Sequence, residues 1–121
     1  MKKIVLVEDD EMMARMYRKV FSLGGFEIAI ASDGQEGLER IRQIMPDLVI
    51  LDVMMPKMNG LEVLSELKRD LATKDIPVVM LTNLSIPEEI KLALESGAAR
   101  YLIKCENEPK KVFEIVRKLL I

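Results

Sequence analysis

The chain has 121 residues, half of them hydrophobic, with a net charge of −2, one cysteine and neither histidine nor tryptophan. That length suits one domain with a core needing no disulfide or metal staple, and the charge gives no field to attract nucleic acid or an anionic membrane. Cys105 cannot form an internal disulfide, zinc is disfavoured without imidazoles, and the apolar run before Glu8 is too short for a signal peptide or membrane span, so a cytoplasmic protein is expected.

Residues 4–7 form a continuous apolar run and read as the first strand. The helix after it carries Met13, Met16, Tyr17, Val20 and Phe21 at three-and-four spacing and stops at Gly24-Gly25. A second strand over 26–31 is more mixed in character, which places it nearer a sheet edge. Leu38, Ile41 and Met45 mark a second helix, and 48–51 a third strand. Leu61, Leu64, Leu67 and Leu71 mark a third helix, opened by a capping box of Asn59 and Glu62. After a polar loop over 70–77 comes a fourth strand at 78–81. The fourth helix carries Ile86, Ile90, Ala93 and Leu94, with Ser85 and Glu88 as a second capping box, Pro87 in its first turn and Gly97 at its end. Residues 101–103 form the fifth strand, and Val112, Val116 and Leu119 a fifth helix with Pro109 in its first turn.

Continuous apolar strands are those covered on both faces, and strand–helix alternation repeated five times implies right-handed crossovers. The expected fold is α/β, a doubly wound five-stranded parallel sheet with helices on both faces. Ligands of such sheets sit beyond the carboxyl ends of the strands. Those ends are chemically matched here: Glu8 and Asp9 follow the first strand, Asp52 the third, Thr82 the fourth and Lys104 the fifth. Carboxylates held close together repel and take up protons unless a cation intervenes, and magnesium suits an all-oxygen set. A carboxylate can attack phosphorus to give an aspartyl phosphate, which makes Asp52 a candidate nucleophile. A hydroxyl and an ammonium beside it supply what phosphoryl transfer needs, charge stabilisation and positioning. Each residue has a plainer reading: Asp52 as a turn cap, the acids at 8–11 as a helix start, Thr82 as a satisfied hydroxyl, Lys104 as a solvated surface group.

Four motifs decide between these readings. They are V-E-D-D at 7–10, L-D-V-M-M-P-K-M-N-G at 51–60, M-L-T at 80–82 and G-A-A-R-Y-L-I-K at 97–104. In this order they resemble the receiver domain of bacterial two-component response regulators, over nearly the whole chain. The resemblance implies the flavodoxin-like strand order 2-1-3-4-5 and one receiver domain over 1–121. It implies that Asp52 takes a phosphoryl group from a phosphohistidine on a sensor histidine kinase or a histidine phosphotransfer protein. Mg2+ would be bound by Asp9, Asp52 and the Met54 carbonyl, with Glu8 acting through water; the run of four acids leaves Asp10 as an alternative to Asp9. Thr82 and Lys104 would hold phosphoryl oxygens. Thr82 and Tyr101 would form a switch, Tyr101 turning inward as Thr82 moves, and would reshape the face of the fourth helix, fifth strand and fifth helix for a downstream protein target. A tyrosine in a strand also has the plain reading of packing. The expected state is a monomer or a weak phosphorylation-dependent dimer, without direct contact to nucleic acid or membrane. Arg15, Arg18 and Lys19, with Met12 and Met16, read equally as part of a docking surface and as a solvated helix face.

The chain departs from the pattern at four positions. Cys105 stands where the family has proline after the lysine; a trans bond or an altered loop is expected, because a non-proline cis bond costs about 3 kcal/mol. Asn83 stands where the family has a small residue, so it narrows phosphoryl access or hydrogen-bonds the phosphate. Met54 and Leu84 are apolar where the family tunes water attack, which implies slow self-dephosphorylation. An aspartate-nucleophile phosphatase would carry a second acid at Met54, so the chain reads as no enzyme beyond its own phosphorylation and dephosphorylation. The alternative is a phosphorylation-independent interaction domain; its signature would be a missing acid, threonine or lysine, and only Asn83 and Cys105 speak for it. The fifth apolar stripe finishes at Ile121, and no output domain is expected, whether the receiver stands alone or is cut from a larger regulator.

Overall fold

The structure is a computed structural model describing residues 1–121. Its strands are β1 (Lys3–Val7), β2 (Glu27–Ala31), β3 (Leu48–Leu51), β4 (Val78–Thr82) and β5 (Arg100–Ile103). All pair in parallel in one sheet, in the order β2-β1-β3-β4-β5, with β2 at one edge as its mixed sequence implied. The helices are α1 (Glu11–Leu23), α2 (Gly34–Ile44), α3 (Gly60–Arg69), α4 (Pro87–Glu95) and α5 (Pro109–Leu119), and a 3-10 turn covers Lys104–Glu106. None is long and apolar enough to cross a membrane.

Alternate side chains of each central strand face opposite layers. Val5, Val7, Val49, Leu51, Val78 and Met80 meet Leu38 and Ile41 of α2, Val63, Leu64 and Leu67 of α3, and Ala93 of α4. Ile4, Leu6, Leu48, Ile50, Val79 and Leu81 meet Ala14, Tyr17 and Phe21 of α1 and Val112 and Val116 of α5. This two-sided burial is why the strands read as unbroken apolar runs, each fully buried Leu or Ile contributing about 1.5–3 kcal/mol.

The register then places the strand ends. Val7 pairs with Ala31 on one side and Leu51 on the other, and Thr82 with Ile103. The ladder runs one residue further: the Glu8 N–H donates to Ala31 O at 2.9 Å and the Asp52 N–H to Val7 O at 3.1 Å. Glu8 and Asp52 are thereby fixed in neighbouring rows although 44 residues separate them.

Helix ends follow the sequence at several points. Gly25 and Gly97 take left-handed φ values of 91° and 107° after α1 and α4, and Asn59 and Glu62 form the reciprocal capping box of α3. Elsewhere the chain corrects the expectation. Ser85 caps nothing: Pro87 is the first residue of α4, Ile86 holds the cap position, and no side chain caps the helix. Proline lacks the N–H that a cap would satisfy there. Met45 leaves the core stripe of α2, because it precedes Pro46, takes a left-handed φ of 50° and is exposed, while Ile44 packs instead. Leu71 lies outside α3 and is 81% exposed. Asp70 Oδ1 accepts the Ala72 N–H and the Thr73 hydroxyl donates to Leu67 O, local bonds that compete with another helical turn. Met16, Ile86, Leu94 and Leu119 are likewise exposed, which leaves Ala93 as the one fully buried residue of α4.

Candidate functional site

Glu8 and Asp52 are buried at the carboxyl edge of the sheet, 3% and 6% exposed. One cation serves both: Lys104, entering its 3-10 turn from β5, donates from Nζ to Glu8 Oε1 at 2.5 Å and to Asp52 Oδ2 at 2.9 Å. The other oxygens bind backbone, Glu8 Oε2 accepting the Asp10 N–H at 3.1 Å and Asp52 Oδ1 the Met54 N–H at 3.2 Å. Asp9 is exposed, and its carboxylate, with those of Glu8 and Asp52, offers ligand oxygens within 4.8 Å of one another. Asp10 is committed elsewhere: its Oδ1 caps α1 by accepting the N–H groups of Met12 and Met13.

Burial pushes the Glu8 carboxyl above its usual range, against the pull of the Lys104 ammonium. Burial alone would lower Lys104; its bonds to Glu8 and Asp52 outweigh that and hold the ammonium above its usual value. Tyr17 was read only as part of the α1 core stripe. It lies fully buried beneath this cluster, its hydroxyl raised by burial and by the charges of Glu8 and Asp52, with Lys104 opposing. A hydroxyl-bearing ring among otherwise apolar core positions is the available signal.

The L-D-V-M-M-P-K-M-N-G loop holds Asp52 by backbone geometry. The Met58 N–H donates to Pro56 O at 2.9 Å across Lys57, whose φ of 68° is left-handed, a strained tight turn of the kind found at functional sites. The chain then returns so closely that a Cβ on Gly60 would lie 2.0 Å from Asp52 O. Met54 points its side chain out, 64% exposed, and its carbonyl accepts no hydrogen bond.

Thr82, buried at the end of β4, has no hydrogen bond to the acid–lysine cluster; its Oγ1 accepts the Leu84 N–H at 3.3 Å. Tyr101 is half-buried, its hydroxyl donating to Leu84 O at 2.7 Å. The two switch candidates thus grip opposite ends of the same residue. The Lys104–Cys105 bond is trans, as no cis peptide occurs, and Asn83 Oδ1 accepts the Cys105 N–H at 3.0 Å.

Fold and edge together define a flavodoxin-like α/β module of the chemotaxis-receiver type. The chain belongs to the response regulator receiver domain family of two-component systems, whose model matches residues 4–117. It is 39% identical over 119 residues to the DNA-binding response regulator MtrA of Mycolicibacterium paratuberculosis, covering 98% of this chain and 51% of that protein. The chain thus spans about half the length of the curated relatives it matches. Among solved structures it resembles the chemotaxis protein CheY4 of Vibrio cholerae, with a TM-score of 0.91, 28% identity and 99% of both chains covered. It also resembles the Mn2+-bound form of response regulator Rcp1, with a TM-score of 0.85 and 31% identity, covering 98% of this chain and 91% of that one.

Proposed function

We propose that this chain is a phosphoacceptor module: Asp52 takes a phosphoryl group from a phosphohistidine partner, a sensor histidine kinase or histidine phosphotransfer protein. The observation that carries this reading is the pairing of one lysine with two buried carboxylates at the carboxyl edge of the sheet, a third carboxylate beside them. A buried ion pair of this kind adds little to stability, so its concentration at one edge speaks for chemistry.

The donor set fits a hard divalent cation, since every ligand is an oxygen: Asp9, Asp52 and the unbonded Met54 carbonyl, with Glu8 behind them. Bound there, Mg2+ would neutralise the clustered acids and the charge of the incoming phosphoryl oxygens. Asp52 supplies the attacking oxygen: its bond to phosphorus forms as the donor's nitrogen–phosphorus bond breaks, and the electron pair leaves with the imidazole. Lys104 is within reach of the reacting oxygen in advance, through its bond to Asp52 Oδ2. Thr82 offers a hydroxyl proton that no acceptor in the protein claims. Drawing that hydroxyl toward a phosphoryl oxygen loosens its hold on Leu84, whose other end Tyr101 keeps. The loop before α4 then shifts between two packings, and the α4-β5-α5 face changes for a downstream protein. DNA binding belongs to the name of the longer MtrA relative; the partner proposed for the α4-β5-α5 face is a protein.

The test is intact mass after incubation with magnesium and a small phosphodonor. A phosphoryl adduct on the parent and none on Asp52→Asn is expected. An unmodified parent would leave the interaction-domain reading. Because Met54 and Leu84 cannot orient an attacking water, the adduct should decay slowly in magnesium buffer; rapid loss would contradict that assignment.

A further inference from the structure

Two residues that depart from the receiver pattern touch each other. The Cys105 N–H donates to Asn83 Oδ1 at 3.0 Å, joining positions 22 apart in sequence. β4 and β5 are parallel neighbours whose ladder ends at the Thr82–Ile103 pair. The bond is one more rung laid beyond that end, with a side-chain amide oxygen in place of a peptide carbonyl. It ties the loop that starts after Thr82 to the 3-10 turn that starts at Lys104. The loop's other ties from Thr82 and Tyr101 both fall on Leu84, so this rung is independent of the bonds a switch would alter. It depends on both residues: proline at 105 would have no N–H to give, and a glycine or alanine at 83 no acceptor to reach it.

We propose that Asn83 is a positioning residue for phosphoryl transfer, fixing through the Cys105 N–H the spacing between the Thr82 hydroxyl and the Lys104 ammonium. The inference rests on the phosphoacceptor reading and deepens it. Thr82 and Lys104 are the adjoining residues on the two tied segments, so motion of one segment against the other changes how both groups meet a phosphoryl. Loss of one such bond should slow the reaction about three- to tenfold.

The test compares the parent with Asn83→Ala, Cys105→Pro, Cys105→Ala and the Asn83→Ala/Cys105→Pro double variant. Each is phosphorylated by a small phosphodonor in magnesium buffer, well below its thermal midpoint, and followed by intact mass. Asn83→Ala and Cys105→Pro should each slow phosphorylation about three- to tenfold, the double variant should be no slower than the slower single, and Cys105→Ala, which keeps the N–H, should match the parent. Exchange of the Cys105 amide proton, followed by NMR, should be slow in the parent and in Cys105→Ala and fast in Asn83→Ala. Parent-like rates in both single variants, additive losses in the double, a slow Cys105→Ala or an unprotected Cys105 amide in the parent would each overturn the clamp. These outcomes leave phosphorylation of the parent intact. A parent that accepts no phosphoryl group overturns the phosphoacceptor reading and the clamp with it.

Discussion

Within β3, Val49, Ile50 and Leu51 are fully buried and bring only apolar side chains into the two cores. One residue further, Asp52 is nearly as buried, yet it carries a charge held by one peptide N–H and one ammonium. The same strand thus passes from burial that favours folding to burial that opposes it. Apolar area contributes about 25 cal/mol per Å2 removed from water, whereas each buried ion costs several kcal/mol before its partners offset it. A parallel sheet gathers every carboxyl end on one edge, so the chain concentrates its unfavourable burial there and keeps the interior free of it.

That contrast can be broken on either side. Leu51→Ala should lower the free energy of unfolding by about 2–5 kcal/mol in denaturant titrations, the cost of a cavity between β3 and the α2–α3 layer. Lys104→Met keeps the stem and removes the charge, leaving Glu8 and Asp52 buried against each other. A loss of about 3 kcal/mol is expected at neutral pH without metal. It should shrink as pH falls. The Glu8 carboxyl already sits above its ordinary 4.5, so the native state holds that proton to higher pH than the unfolded chain does, and protonation favours folding. A deficit that grows on acidification would contradict the pairing. Asp52→Asn should alter stability by less than about 1 kcal/mol, because it removes one repelling carboxylate and one lysine contact together. It should abolish the phosphoryl adduct all the same, so neighbouring substitutions separate stability from function.

The smallest expected effect sharpens the comparison. With no tryptophan, tyrosinate absorbance in the near ultraviolet reports Tyr17 and Tyr101. Both hydroxyls are raised above 10.0, first by burial, then for Tyr101 by the nearby Glu89 and Asp52 charges. Their contribution to stability is complete below pH 10.0 and is lost as pH rises through the higher native values. The native protein should show little tyrosinate at that pH, whereas the urea-unfolded chain titrates there; coincident curves would contradict the burial of both rings.

The strands and the pooling of Glu8, Asp52, Thr82 and Lys104 at one edge were legible because continuous apolar runs and right-handed crossovers leave few other arrangements. Strand order was not contained in periodicity and came with the motif resemblance. Met45, Leu71 and Ser85 were misplaced for local reasons: a following proline, an aspartate that turns the chain, and a proline that starts the helix after the apparent cap. Where α1 begins is a one-residue matter that four consecutive acids conceal until Asp10 is seen capping Met12 and Met13. Asn83 and Cys105 each stood out in sequence, but their meeting depends on the β4–β5 register, which no local pattern encodes.

The most direct check on the pooled edge is anomalous diffraction from crystals grown with Mn2+. The account predicts a single ion held by the Asp9 and Asp52 carboxylates and the Met54 carbonyl, with Glu8 beyond it and Asp10 still capping α1. Crystals in which Mn2+ binds elsewhere, or leaves these three acids empty at saturating metal, would contradict it.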